Sequence, residues 1–177
     1  MSSIQEKAKN VLLEFPTASE QLPVNIEHIV EKKGIRLLPF DFKEDISGVL
    51  MLENGEATIG YNLNEHRLRN RFTIAHELGH YLLHKDDKDL FVDKEFRALF
   101  RLNNGDASAK HEREANEFAA CILMPEDMIR SEIANSGIDY TDENLIKTLA
   151  KKFDVSTIAM SIRISKLGLF EDEDIPF

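Results

Sequence analysis

The stretch from Arg71 to His84 restricts the possible folds of this chain more than any other, because its pattern requires a helix with two different sides. His76 and His80 lie four residues apart, so they project from the same side of that helix. Apolar residues recur at helical spacing on another side: Phe72, Ala75, Leu78, Leu82 and Leu83. Gly79 lies in the helix interior, where glycine costs about 1 kcal/mol of helix stability relative to alanine. We therefore expect a close neighbour at that turn of the helix.

The two histidines belong to the pattern His-Glu-x-x-His, which places two imidazoles one helical turn apart. His76 and His80 can then bind one Zn²⁺ between them, and Glu77 can polarise a water on that ion without being a ligand. The alternative is an amphipathic helix whose histidines only cover the core. The pattern favours the first interpretation, with Glu77 as the general base of a zinc hydrolase.

A hydrolytic zinc site usually has three protein ligands and one position open to water. His84 lies roughly 12 Å from His76 along the helix axis, which is too far for both to bind one ion. We therefore expect His84 beside the ligands or in the core. The helical pattern at residues 111–125 places Glu112 and Asn116 on one face, with small alanines that allow close packing. Glu112 is the predicted third ligand, and Asn116 is predicted to orient a ligating histidine through a hydrogen bond.

Other carboxylates stay open as alternatives at this point. Glu114 points away from the Asn116 side of a regular helix, so it is the weaker choice. Asp86 occupies the place of the final histidine in the longer pattern His-Glu-x-x-His-x-x-Gly-x-x-His. Glu112 and Glu117 can also belong to an ordinary solvated helix face, and this interpretation applies more strongly to Glu117.

The N-terminal half of the chain predicts helices followed by a small antiparallel sheet, and thus an α+β fold. Ser3 and Glu6 form a capping box for a first helix that ends near residue 14, and a second helix follows residue 23 and ends at Gly34. The strands are predicted at residues 35–40, 47–52 and 57–61. Asn54 and Gly55 mark a hairpin between the last two strands. An edge of this sheet is expected beside the metal, where an extended peptide can pair with it.

Residues 90–110, which follow the histidine helix, are expected to be mobile, with a loop at residues 103–106.

Three further helices are predicted at residues 125–134, 142–153 and 156–167. The segment at residues 149–163 resembles a helix-turn-helix, with Ser156 as the cap of its second helix. That helix carries only Arg163 and Lys166 as cations, and the net charge of the chain is −10. Direct DNA binding is therefore disfavoured, although it is left open.

Composition adds limits on location and redox chemistry. With 177 residues, of which 42% are hydrophobic and 31% charged, the chain is expected to be one soluble domain. No apolar run is long enough to span a membrane, and the N-terminus lacks a signal peptide. The single cysteine, Cys121, excludes an internal disulfide and lies in an apolar run typical of a buried thiol. A cytoplasmic protein is expected.

The two motifs together resemble the ImmA/IrrE family of metallopeptidases. The resemblance rests on residues 71–80, Arg-Phe-Thr-x-Ala-His-Glu-Leu-Gly-His, and residues 112–125, Glu-x-x-Ala-Asn-x-Phe-Ala-Ala-x-x-Leu-Met-Pro. It implies a zincin-like, gluzincin-type zinc peptidase whose third ligand falls on Glu112. It also implies a regulatory role, in which the peptidase cleaves a helix-turn-helix repressor encoded on a phage, a mobile element or a stress-response locus.

The predicted organisation is a zinc metallopeptidase domain at residues 1–124, a C-terminal helical subdomain packed on it at residues 125–170, and an acidic tail at residues 171–177. The short chain resembles family members without the C-terminal sensor domain of the radiation-response branch. The predicted function is a zinc-dependent endopeptidase with a protein substrate. The alternative is a DNA-binding or scaffolding transcriptional regulator with a structural metal site.

Overall fold

A computed structural model describes residues 3–42, 46–87, 89–94, 107–136 and 143–169 of the chain. These residues form eight helices and four strands, so the α+β prediction is confirmed. In chain order the elements are α1 (Ile4–Glu14), α2 (Pro16–Ser19), α3 (Ile26–Lys32), β1 (Arg36–Phe40), β2 (Ile46–Glu53), β3 (Glu56–Asn62), α4 (Arg67–His84), β4 (Leu90–Lys94), α5 (Ala107–Leu123), α6 (Glu126–Ser136), α7 (Glu143–Phe153) and α8 (Thr157–Lys166).

The first helix begins where its predicted capping residues lie. The Ser3 hydroxyl accepts a hydrogen bond from the Glu6 backbone, and the Glu6 side chain accepts one from the Ser3 backbone. This capping box starts α1. The helix α1 ends at Glu14, two residues before Pro16. Pro16 is the first residue of the short helix α2, because proline fits the first position of a helix. The sequence analysis did not predict α2.

The sheet has the strand order β1-β3-β2-β4 and is mixed, so the prediction of an antiparallel sheet is wrong for one of its pairs. The predicted hairpin joins β2 and β3, and Asn54 and Gly55 both have the positive φ that its tight turn requires. The other side of β2 is occupied by β4, and β1 lies on the free side of β3 and runs parallel to it. The strand nearest α4 in sequence, β3, is therefore an interior strand.

Residues 90–110 were expected to be mobile, but their first residues form the fourth strand, β4. It pairs antiparallel with β2, and its side chains alternate: Phe91 is buried, whereas Leu90 and Val92 are exposed. Within the described part of the chain β4 is an edge of the sheet. The predicted loop at residues 103–106 lies outside the described residues.

The helix α4 lies between the sheet and α5, and it contacts both. Gly79 permits the close contact with α5: a Cβ there would lie 3.1 Å from the Cα and the carbonyl oxygen of Ala115 and 3.2 Å from Cδ1 of Phe118. The predicted close neighbour of Gly79 is thus confirmed. Leu78 and Phe118 are fully buried in this layer, and burying such large apolar side chains stabilises the fold by about 1.5–3 kcal/mol each.

The three predicted C-terminal helices are present as α6, α7 and α8. The Ser156 hydroxyl accepts a hydrogen bond from the backbone of Ala159, which confirms the predicted cap of α8. In the turn before it, Asp154 pairs with Arg67 and Arg71 of α4, and Arg71 Nε also donates to the Asp154 carbonyl at 3.2 Å. This turn is therefore attached to the same helix that carries the His-Glu-x-x-His pattern. The predicted acidic tail at residues 171–177 lies outside the described residues.

The structure also bears on two expectations from composition, which concern membrane-spanning helices and the single cysteine. None of their helices is both long and apolar enough to cross a bilayer. Cys121 is buried, and burial raises the pKa of its thiol, as expected for a structural cysteine.

Candidate metal centre

The helix α4 brings the two histidine side chains together in the interior of the protein. His76 and His80 are only 2% and 1% exposed. Their Nε2 atoms lie 3.0 Å apart, and the two rings meet edge to face with centroids 4.6 Å apart. The spacing of four residues therefore does what the sequence predicts, since both imidazoles direct a nitrogen toward the same point.

The helix α5 supplies a carboxylate to this point. Glu112 Oε2 lies 3.3 Å from His76 Nε2, and Glu112 Oε1 lies 3.3 Å from His80 Nε2. Ligand atoms about 2.0–2.1 Å from a tetrahedral zinc are roughly 3.3–3.4 Å apart, so these separations match the edges of such a site. The three side chains form a group that can hold a metal ion.

The two imidazoles govern the charge of the third side chain. Burial alone would raise the pKa of Glu112, but the neighbouring imidazoles of His76 and His80 outweigh burial and lower that pKa below its ordinary value. Glu112 is therefore a carboxylate at neutral pH. An ionised carboxylate beside two imidazole nitrogens is the donor set of a hydrolytic metal centre.

Asn116 contacts the outer nitrogen of His76, as the sequence analysis anticipated. Its Oδ1 lies 3.2 Å from His76 Nδ1, and its Nδ2 donates to the carbonyl of Glu112 at 2.8 Å. The second bond orients the amide so that its oxygen faces the imidazole. His76 then carries its proton on Nδ1, which leaves the Nε2 lone pair directed at Glu112 and His80.

Glu77 lies on the side of α4 that faces the sheet. It is fully buried. A Cβ at Gly48 of β2 would lie 3.0 Å from Glu77 Oε1 and would clash with the methyl group of Thr73. Gly48 is thus required for β2 to approach this part of α4, a role that the sequence analysis missed.

Phe91 is a second side chain that the sequence analysis missed. Its ring stacks on the His80 imidazole with centroids 4.7 Å apart and an angle of 23° between the planes. The stacking brings β4 against the histidines. The signal was the short apolar run Leu90, Phe91 and Val92, in which phenylalanine and valine are typical of strands.

His84 belongs to a second group of side chains, next to the first. Its ring centroid lies 5.6 Å from that of His80, but its close partners are His111, Asp87 and Glu114. Burial, together with the neighbouring imidazoles of His111 and His80, lowers the pKa of His84 to about 4. His84 therefore lies beside His76, His80 and Glu112 and does not belong to that group, which agrees with the expected position beside the ligands.

The described fold and the converging His76, His80 and Glu112 place the chain in the class of candidate metalloproteins. Residues 30–165 match the Peptidase_M78 family model, described as the IrrE N-terminal-like domain. The chain therefore belongs to the ImmA/IrrE family of metallopeptidases. Membership implies a metal cofactor.

Two individual proteins show the similarity more closely. The chain is 27% identical over 124 residues to metallopeptidase ImmA of Bacillus subtilis (strain 168), and the match covers 69% of this chain and 66% of that protein. A solved structure of a Mycobacterium tuberculosis transcriptional regulator superimposes with a TM-score of 0.59 at 17% identity, which covers 92% of this chain and 46% of that one. The second likeness concerns the fold alone.

Proposed function

We propose that this chain is a zinc-dependent endopeptidase in which His76, His80 and Glu112 are the metal ligands and Glu77 is the general base. The convergence of three ligand atoms, separated by 3.0–3.3 Å, carries this proposal. Zinc is the ion that two imidazoles and one carboxylate favour in hydrolytic sites. Family membership and the similarity to a named metallopeptidase support the assignment.

The proposed chemistry divides the work among the side chains of α4 and α5. A bound zinc ion supplies Lewis acidity, which polarises the scissile carbonyl and lowers the pKa of a water molecule. Asn116 keeps the proton of His76 on Nδ1. The Glu77 carboxylate takes a proton from the attacking water and gives it to the nitrogen of the leaving amine.

The substrate is proposed to be a protein segment that lies extended along β4. Within the described residues β4 is an edge strand, and its outer backbone groups are available to pair with a peptide. Phe91 stacks on His80, so a peptide on this edge would run beside the metal ligands. The edge that the sequence analysis expected near the metal is thus assigned to β4.

A helix-turn-helix transcriptional repressor is the proposed source of this segment. The proposal rests on the family resemblance of the two motifs, and the structural neighbour described as a transcriptional regulator supports a place in transcription. In this proposal residues 1–124 form the peptidase domain. Residues 125–170 form a helical subdomain that is packed on it and binds the repressor.

The second candidate is a DNA-binding or scaffolding regulator, because α7 and α8 follow each other as in a helix-turn-helix. The surface of α8 argues against DNA as its partner. Arg163 is buried, and its Nε donates to the carbonyl of Met124 at 3.1 Å, so it does not face a phosphate. The exposed face of α8 instead presents Ile158 and Ile162, which are suited to contact with a protein.

A cleavage assay separates the two candidates. The repressor encoded beside the gene for this chain is incubated with the protein, with a chelator, and with zinc restored after chelation. We expect cutting at one bond that stops with the chelator and returns with zinc. Glu77→Gln should keep the zinc content of the unaltered protein and lose cleavage, whereas the matched control Glu117→Gln should keep both the zinc content and the cleavage.

Cleavage that persists in Glu77→Gln would refute the assignment of the general base. A metal-independent gel shift with operator DNA, without any cleavage of the repressor, would favour the regulator.

A further inference from the structure

A second group of possible metal ligands lies at the C-terminal end of α4. It consists of His84 on the last turn of that helix, Asp87 in the turn that follows, and His111 on α5. Ligand atoms of these three residues lie within 4.8 Å of one another. We propose that this group is a second binding site, separate from the first, for a divalent cation of the class that imidazoles favour, such as Zn²⁺.

The distances within the group are close to those of a metal site. His111 Nε2 lies 3.3 Å from Asp87 Oδ2, which equals the edge of a tetrahedral zinc site of about 3.3 Å. His84 Nδ1 lies 3.9 Å from the same oxygen. Asp87 is half exposed in a turn after the helix, so a small movement of its side chain closes the remaining gap.

Two ring nitrogens in this group face the same carboxylate oxygen. They are Nδ1 of His84, which is only 5% exposed, and Nε2 of His111, and both face Oδ2 of Asp87. The two rings are stacked with centroids 4.0 Å apart. Imidazole nitrogens and carboxylate oxygens are both ligands that Zn²⁺ accepts. A cation at this position would bind all three side chains.

The surrounding charges favour a cation. Glu114 Oε2 lies 3.5 Å from His84 Nε2, so the group contains two carboxylates, and Lys110 offsets one of them at 3.7 Å from Glu114. The last turn of α4 adds carbonyl oxygens and the negative end of the helix dipole. Glu114, which the sequence analysis considered a weaker ligand of the first site, lies beside the other nitrogen of His84, where a carboxylate can orient a ligating histidine.

The mixture of donors decides the class of ion. Ca²⁺ and Mg²⁺ require several oxygen ligands, whereas two imidazoles with a carboxylate suit Zn²⁺ and similar transition metals. A metal at this site would connect α4 to α5 a second time, one turn beyond His80 on α4. It would hold together the two helices that carry the ligands of the first site.

Zinc-binding stoichiometry tests the proposal independently of catalysis. Equilibrium dialysis against Zn²⁺, followed by metal analysis, should give two ions per chain for the unaltered protein. Asp87→Asn and His111→Gln should each lower the affinity for one of the two ions by at least about tenfold and leave the affinity for the other unchanged. The matched control Asp86→Asn, in an exposed neighbouring carboxylate, should still bind two ions.

A variant without the first site provides the complementary measurement. His76→Gln combined with His80→Gln should keep one ion, and adding His111→Gln should remove it. Thermal melts in chelator verify that each variant is folded. The proposal would be overturned if the unaltered protein binds a single ion. It would also be overturned if Asp87→Asn and His111→Gln both bind two ions with unchanged affinity. Loss of the second ion alone leaves the assignment of Glu77 and the first site to the separate cleavage assay.

Discussion

Replacement of Gly79 by alanine tests whether the contact between α4 and α5 sets the geometry of the metal centre. The added Cβ would lie 3.1 Å from the Cα and the carbonyl oxygen of Ala115. These are backbone atoms, so they can move only if the whole of α5 moves. Glu112 lies one turn before Ala115 on the same helix, and its carboxylate would therefore move away from His76 and His80.

The expected magnitude follows from two opposing effects. Alanine in a helix interior is about 1 kcal/mol more favourable than glycine. Overpacking a tight contact costs about 1–3 kcal/mol. Gly79→Ala should therefore lower the free energy of unfolding by about 0–2 kcal/mol, and Gly79→Val, which is larger, should lower it further. The affinity for zinc should fall roughly tenfold or more, as when a group that positions a ligand is lost.

Two measurements check this prediction. Urea unfolding in the presence of a chelator gives the stability of the metal-free protein, and competition with a chromogenic chelator gives the affinity for zinc. A variant that is about 1 kcal/mol more stable and binds zinc as tightly as before would refute the reasoning, because helix propensity alone would then govern the position.

Three further predictions concern single side chains. Glu112→Gln should weaken zinc binding by at least about tenfold while Glu117→Gln does not, as measured by competition with a chelator. Asn116→Ala should weaken it by about 10–100-fold, and Asn116→Asp should recover part of the loss because a carboxylate also accepts a hydrogen bond from His76 Nδ1. The low pKa of His84, about 4 against 6.5 in the unfolded chain, means that the unfolded state binds more protons between these values. The stability of the metal-free protein should therefore fall as pH drops from about 6.5 toward 4, and urea unfolding of His84→Gln should show less of this fall.

Local patterns predicted the elements that depend on nearby residues. The capping box of α1, the Asn54-Gly55 hairpin and the helical spacing of α4 all arise from contacts within a few residues, so the sequence shows them directly. Gly79 was informative for a different reason. A glycine that costs helix stability indicates a close neighbour, and the structure identifies that neighbour as Ala115.

Pairings between distant segments could not be predicted in this way. β1 pairs with β3 and not with β2, the next strand in the chain, and β4 pairs with β2 although α4 lies between them in sequence. Gly48 is required by the approach of α4, which is contributed by a later segment. His111 gave no signal in the sequence, because its partners His84 and Asp87 belong to another element.

The pairing of Arg71 with Asp154 affects how the chain can be divided. Arg71 is buried on α4, and it bonds the carbonyl of Val24 at 2.9 Å and the Asp154 carboxylate at 3.2 Å. A chain cut after Met124 would lose that carboxylate and keep only Glu27, at 3.6 Å, to balance a guanidinium inside the protein. The segments before and after Met124 are thus linked through a buried guanidinium, so we expect the first segment to be less stable without the second.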